Sequence, residues 1–230
     1  MEKLPTPSGP EPENKCLGSL FMKLEAIVVN PVAGKLQQPQ QIKLYLTIQF
    51  KEQRELLVGG HIKFGLKGGK LRVKLKNAEI PTSSNQLGRS YELAVQKKKK
   101  TANILPIPEI PANLPTTETT EPLQFISCKV AVRGTPTRPI WVFEVDKGGS
   151  VLKGVLKNTA LATLDITSKP CYLEAIFEVA PRDIHLSEAE GLWPKNISKK
   201  KSVVIERAII RRFLELKLSP YLSRQTMRYD

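Results

Sequence analysis

Residue types that carry chemistry are scarce in this chain. Its 230 residues include two histidines, His61 and His185, and three cysteines, Cys16, Cys128 and Cys171. Neither histidine lies in a nucleophile, metal or acid–base motif. The cysteines are odd in number, far apart and without C-x-x-C spacing, which argues against a disulfide framework and against a zinc site. Cys128 and Cys171 fall at inward positions of predicted strands and read as reduced core thiols. No apolar run approaches the ~20 residues of a membrane span, and the Pro-rich start from Met1 to Lys15 lacks the apolar stretch of a secretory signal. A cytoplasmic chain with a disordered tail over 1–17 is the expectation. The doublets Gly59-Gly60, Gly68-Gly69 and Gly148-Gly149 precede neither a helix nor G-K-[ST], so they read as turns rather than phosphate cradles. Glu144 with Asp146, and Glu174 with Glu178, share strand faces as charged outward positions commonly do. The sequence thus assigns no catalytic residue, no metal and no cofactor, and it predicts a non-enzymatic protein.

What the chain has in abundance is positive charge and strand alternation. Thirty-six Lys and Arg oppose 22 Asp and Glu, a net charge of +14 that favours polyanionic partners. Alternation is clearest over 42–50, where Ile42, Leu44, Leu46, Ile48 and Phe50 share a face. Similar segments occupy 20–29, 62–66, 71–76, 90–96, 124–132, 140–146, 151–156, 160–166 and 171–179. Ten short strands with no helix between them predict a mainly β fold, an antiparallel two-layer sandwich. A pattern also recurs: Ile62 to Gly69 leading to Leu75-Lys76-Asn77, and Trp141 to Gly149 leading to Leu156-Lys157-Asn158. Each copy reads as a hairpin turning on Gly-Gly, which suggests two related five-stranded halves, 18–97 and 122–186. The Pro-rich stretch 98–121 joins them and favours extended structure.

Beyond 186 the period changes, and 187–230 reads as a helical basic segment. Ser187 to Glu190 resembles a capped helix start, and a long helix is predicted from Lys201 to about Leu218. Ile205, Ile209, Phe213 and Leu216 would form its apolar stripe, with Lys200, Arg207 and Arg211 opposite. From Lys195 to the C-terminus ten cations oppose three carboxylates.

Two sets of candidate residues follow. If Gly68-Gly69 is a tight turn, Lys63 faces Lys74 beside Arg72 and Lys76, an unbalanced positive face that, with Lys43, suits phosphate. Lys199, Lys200, Arg207 and Arg211 extend that expectation to the helix. No aromatic set is interleaved with the C-terminal cations, so contacts to the phosphate backbone of nucleic acid are expected rather than base stacking. The second set serves a protein partner: Ile107 and Ile110 of the Pro-rich stretch as docking residues, and Trp193 as a plug for the helix or a partner-facing anchor. The chain is accordingly expected to be an accessory binding protein of a larger assembly that touches nucleic acid or another polyanion. The alternative is a protein-binding adaptor without nucleic-acid contact.

Overall fold

The computed structural model describes residues 11–29, 40–94, 125–192 and 197–230. They form a mainly β, antiparallel fold with a single helical segment near the C-terminus. In chain order the strands are β1 (Glu13–Asn14), β2 (Leu20–Val29), β3 (Gln41–Phe50), β4 (Gln53–Leu57), β5 (Gly60–Leu66), β6 (Gly68–Lys76) and β7 (Ala78–Glu79). After them come β8 (Ser90–Ala94), β9 (Phe125–Thr135), β10 (Arg138–Lys147), β11 (Gly154–Ile166), β12 (Cys171–Glu178) and β13 (Ile184–Glu190). The helical segment comprises α1 (Lys199–Ile209), a π turn (Ile210–Leu214) and α2 (Glu215–Leu218), and β14 (Ser223–Tyr229) ends the chain.

Eleven strands build one long sheet in the order β1-β14-β12-β6-β10-β9-β8-β11-β3-β2, with β7 beside β11; β13, β5 and β4 form a second, three-stranded sheet. The long sheet folds over so that its two limbs face each other as a sandwich. Phe50 of β3 meets Phe143 of β10 and Phe177 of β12 across the interior, with ring centroids 6.0 and 5.9 Å apart, and the latter two rings lie 5.8 Å from each other. Strict alternation explains who is inside: Ile42, Leu44, Leu46, Ile48 and Phe50 from β3, and Cys171, Leu173, Ala175 and Phe177 from β12, are all buried.

The paired Gly-Gly hairpins do not form. β5 pairs with β4 and β13, while β6 pairs with β10 and β12, so Lys63 and Lys74 lie in different sheets. Nor do β10 and β11 pair with each other. The reason lies in Gly68 and Gly69, neither of which has a positive φ. They open β6 at a point where backbones crowd. A Cβ on Gly68 would sit 2.5 Å from the Phe143 carbonyl oxygen, and one on Gly69 would enter the Phe177 ring. These glycines permit close approach rather than a turn. The recurrence survives in one detail: Asn77 and Asn158, the last residues of the two copies, are the two described non-glycine residues with positive φ, at 62° and 46°.

Two further expectations are corrected. Ser187 to Glu190 belongs to β13 rather than to a helix start. The helix keeps Ile205 and Ile209 of the expected stripe against the core but continues it with Ile210, Leu214 and Leu218, leaving Phe213 50% and Leu216 80% exposed. The π turn causes this. The Glu215 N–H bonds to the Ile210 carbonyl, five residues back, so one extra residue enters the turn and rotates everything after it by about one position. Among the described residues no helix is long and apolar enough to cross a membrane.

Candidate polyanion-binding face

Alternation on three neighbouring strands builds a cationic surface on the sandwich. On β6, Leu71 and Val73 point inward, which turns Lys70, Arg72, Lys74 and Lys76 outward. On β14 the inward residues are Ser223, Gln225, Met227 and Tyr229, and Arg224 and Arg228 face out. Between them β12 presents Tyr172, Glu174, Ile176 and Glu178. Register aligns these into rows: Lys76–Tyr172–Arg228, Lys74–Glu174–Thr226 and Arg72–Ile176–Arg224. The third row runs on through Ile140 of β10 to exposed Arg133 of β9.

Carboxylates on this face are shared. Glu174 receives Arg224 at 2.7 Å and Lys74 at 3.4 Å, while Arg72 Nε donates to Glu178 at 2.6 Å and Arg228 lies 2.8 Å from Asp230. Six cations on β6 and β14 thus meet three ion-paired carboxylates, with Glu13 of β1 a fourth beside Arg224, and Lys70 and Lys76 have no ion-pair partner among the described residues. Three arginines are matched by three carboxylates, and the excess positive charge of the face rests on Lys70, Lys74 and Lys76. Beside Tyr172 lies a shallow depression of about 220 Å³ lined by Lys74, Leu75, Lys76, Leu173, Glu174, Thr226 and Met227.

The structure separates the nine cations expected to act together. Arg72, Lys74 and Lys76 lie on the face just described. Lys63 is instead in the small sheet, where its Nζ is 2.7 Å from Glu188 and 3.8 Å from Glu52. The hydrogen bond to Glu188 pushes the Lys63 ammonium above its ordinary range and holds Glu188 below its own. Burial would raise the Glu52 carboxyl, but hydrogen bonds from Ser187 and Lys153 and the charges of Lys153 and Lys63 outweigh it and hold the group low. Lys43 is exposed on β3, on the outer face of the opposite limb. Lys200, Arg207 and Arg211 are exposed on α1 and the π turn, and Lys199 begins α1. Ile107, Ile110 and Trp193 lie outside the described residues, as do 98–121 and Lys97 to Lys100.

Sequence reasoning missed Lys70, Tyr172, Arg224 and Arg228 as members of this face. Residues 223–229, Ser-Arg-Gln-Thr-Met-Arg-Tyr, do alternate, but Ser223 and Gln225 occupy inward positions where an apolar residue would have signalled a strand.

Elsewhere the reactive groups are subdued. All three cysteines are buried; burial pushes the Cys128 thiol up to about 12 and raises Cys16 and Cys171, so none presents a thiolate near neutral pH. His185 is held below its ordinary value by burial and by Lys67. His61, Glu188 and Glu190 bring ligand-type atoms within 4.8 Å of one another, with His61 Nε2 3.4 Å from Glu190. Glu188, however, already answers Lys63 and Arg54, and those two cations would repel a metal ion.

No protein-family model matches the chain, and no curated protein matches it in sequence. The functional reading therefore rests on the geometry.

Proposed function

We propose that the chain is a non-enzymatic accessory protein that binds the phosphate backbone of nucleic acid through the outer face of β6, β12 and β14. One observation carries this reading: six cations of β6 and β14 lie on one continuous sheet surface with four carboxylates, Glu13, Glu174, Glu178 and Asp230, beside them. Phosphate contact needs positive charge held at a surface and little else. The exposed Lys200, Lys201, Arg207, Arg211 and Arg212 of the helical segment supply further cations to the same partner. Three buried free thiols suit a reducing, cytoplasmic setting.

Fluorescence anisotropy with labelled DNA and RNA tests this. Binding should be tight at about 50 mM salt and fall steeply as salt rises, with a slope of about −0.9 per phosphate contacted on duplex DNA. Lys74→Ala with Lys76→Ala should weaken binding and flatten the slope by roughly 2 on duplex. Absence of binding at low salt would overturn the reading.

A second reading has its own observation. Phe213 and Leu216 project into solvent beside Arg211 and Arg212, an arrangement that suits an adaptor docking an acidic, apolar protein segment. Under that reading, association with the larger assembly survives nuclease treatment and is lost in Phe213→Ser with Leu216→Ser.

A further inference from the structure

Tyr172 lies on the middle strand at one end of the cationic face, 37% exposed, with register neighbours Lys76 on one side and Arg228 on the other. The Lys76 ammonium lies 5.8 Å and the Arg228 guanidinium 5.7 Å from the ring centroid. Both distances are at the outer limit of cation–π contact, so the ring is flanked without being tightly capped; Lys76 has no ion-pair partner among the described residues, whereas Arg228 is held 2.8 Å from Asp230. No hydrogen bond engages its hydroxyl among the described residues. The depression beside it is lined by Lys74, Lys76, Glu174 and Thr226 together with Leu75, Leu173 and Met227, whose positions alternate toward the interior. An exposed flat ring with cations on both sides is the arrangement that receives a flat heterocycle linked to phosphates.

We propose that Tyr172 is a base-stacking platform, and that the ligand of this face is single-stranded nucleic acid. The inference rests on the phosphate-binding reading above and narrows it. In a duplex each base is already stacked and paired, so its π-face is not available to a protein ring; an unpaired strand can lay one base on Tyr172 while Lys76 and Arg228 meet the phosphates on either side. Stacking tolerates every base because each has a π-face, and the predicted preference is therefore for strandedness and not for sequence. The local sequence hid this role. Tyr172 has no cation within two residues, and only the pairing of β6, β12 and β14 brings Lys76 and Arg228 to it.

The test compares a labelled oligo-dT of roughly 20 nucleotides, longer than a typical single-strand site, with a duplex of the same length. Tyr172→Ala should weaken oligo-dT binding about tenfold, the loss expected for one stacked base, leave duplex affinity within about twofold and leave the salt slope unchanged, because no phosphate contact is removed. Tyr172→Phe, which keeps the ring, should bind as the unmodified protein does. Tyr172→Thr, which keeps β propensity without a ring, should reproduce the alanine result and guards against loss through a loosened strand. If Tyr172→Ala and Tyr172→Thr bind oligo-dT normally while Lys74→Ala with Lys76→Ala binds weakly, stacking is wrong and phosphate binding stands. Equal losses on single strand and duplex would also overturn stacking. If the unmodified protein binds neither probe at low salt, both readings fail together.

Discussion

Lys63 shows how pairing decides what a charge does. Read as one of two opposed lysines it should gain stability on removal; placed between Glu188 and Glu52 it should lose some. Its side chain is 30% exposed and Glu52's is 12% exposed, so solvent screens the pair only in part. Lys63→Ala is expected to lower unfolding stability by about 1 kcal/mol. Lys74→Ala, on a side chain 61% exposed, should change it by less than about 0.5 kcal/mol, as read from urea denaturation midpoints. The same cluster sets a pH dependence. Glu52 is held below the ordinary glutamate value in the folded chain, so its contribution is complete above that ordinary value, about 4.3. It is lost as pH falls through the lower, folded-state value. Urea midpoints should drop as pH is taken from about 6 to about 3, and Glu52→Gln should reduce that drop. An unchanged drop in Glu52→Gln would show that other carboxylates dominate.

At the level of elements, most strands were legible from alternation alone, because β2, β3, β10 and β12 each bury one face and expose the other. Partners were not legible. Periodicity fixes which residues point inward but not which strand lies alongside, and glycines that allow crowding look the same in sequence as glycines that turn the chain. Gly69→Ala tests the distinction: it should destabilise by about 1–3 kcal/mol through overpacking against the rigid Phe177 ring. At a turn glycine the cost would come instead from positive φ, which Asn tolerates better than Ala; at Gly69 the larger Asn should cost more than Ala. The helix is a related case. Its existence and cations were visible, but the one-residue insertion at the π turn was not, since Ile209-Ile210 and Phe213-Leu214 offer apolar residues to either register. Leu214→Ala should cost about 2–4 kcal/mol as a core truncation, whereas Phe213→Ser should cost less than about 0.5 kcal/mol. The reverse order would mean that the helix docks in regular α register.

Across the whole molecule, the sheet has two ends, and they meet without a shared ladder. β2 ends one side and β1 with β14 the other, which would leave buried backbone groups on β2 without partners. Side-chain amides take that place. The Leu24 N–H donates to Gln225 Oε1 at 2.7 Å while Gln225 Nε2 donates to the Leu24 carbonyl at 3.0 Å, and Asn14 does the same for Met22 at 2.9 and 3.3 Å. Each amide mimics the donor and acceptor of a missing strand residue. That substitution helped make β1 and β14 illegible: Asn14 and Gln225 are polar because they satisfy backbone, not because they face water. It also makes the candidate face depend on the closure, since Arg224 and Arg228 alternate with Gln225 on β14. Gln225→Leu keeps the volume and removes both hydrogen bonds, leaving a buried N–H and a buried carbonyl unpaired. The expected loss is about 3 kcal/mol, seen as a melting temperature lower by roughly 5–10 °C. Amide exchange at Leu24 should accelerate more than that global loss alone explains, because the seam opens locally. Thr226→Val, one residue on and facing outward, should leave the melting temperature nearly unchanged. If Gln225→Leu melts at the original temperature, the two limbs are held by apolar packing alone and the amide seam contributes nothing.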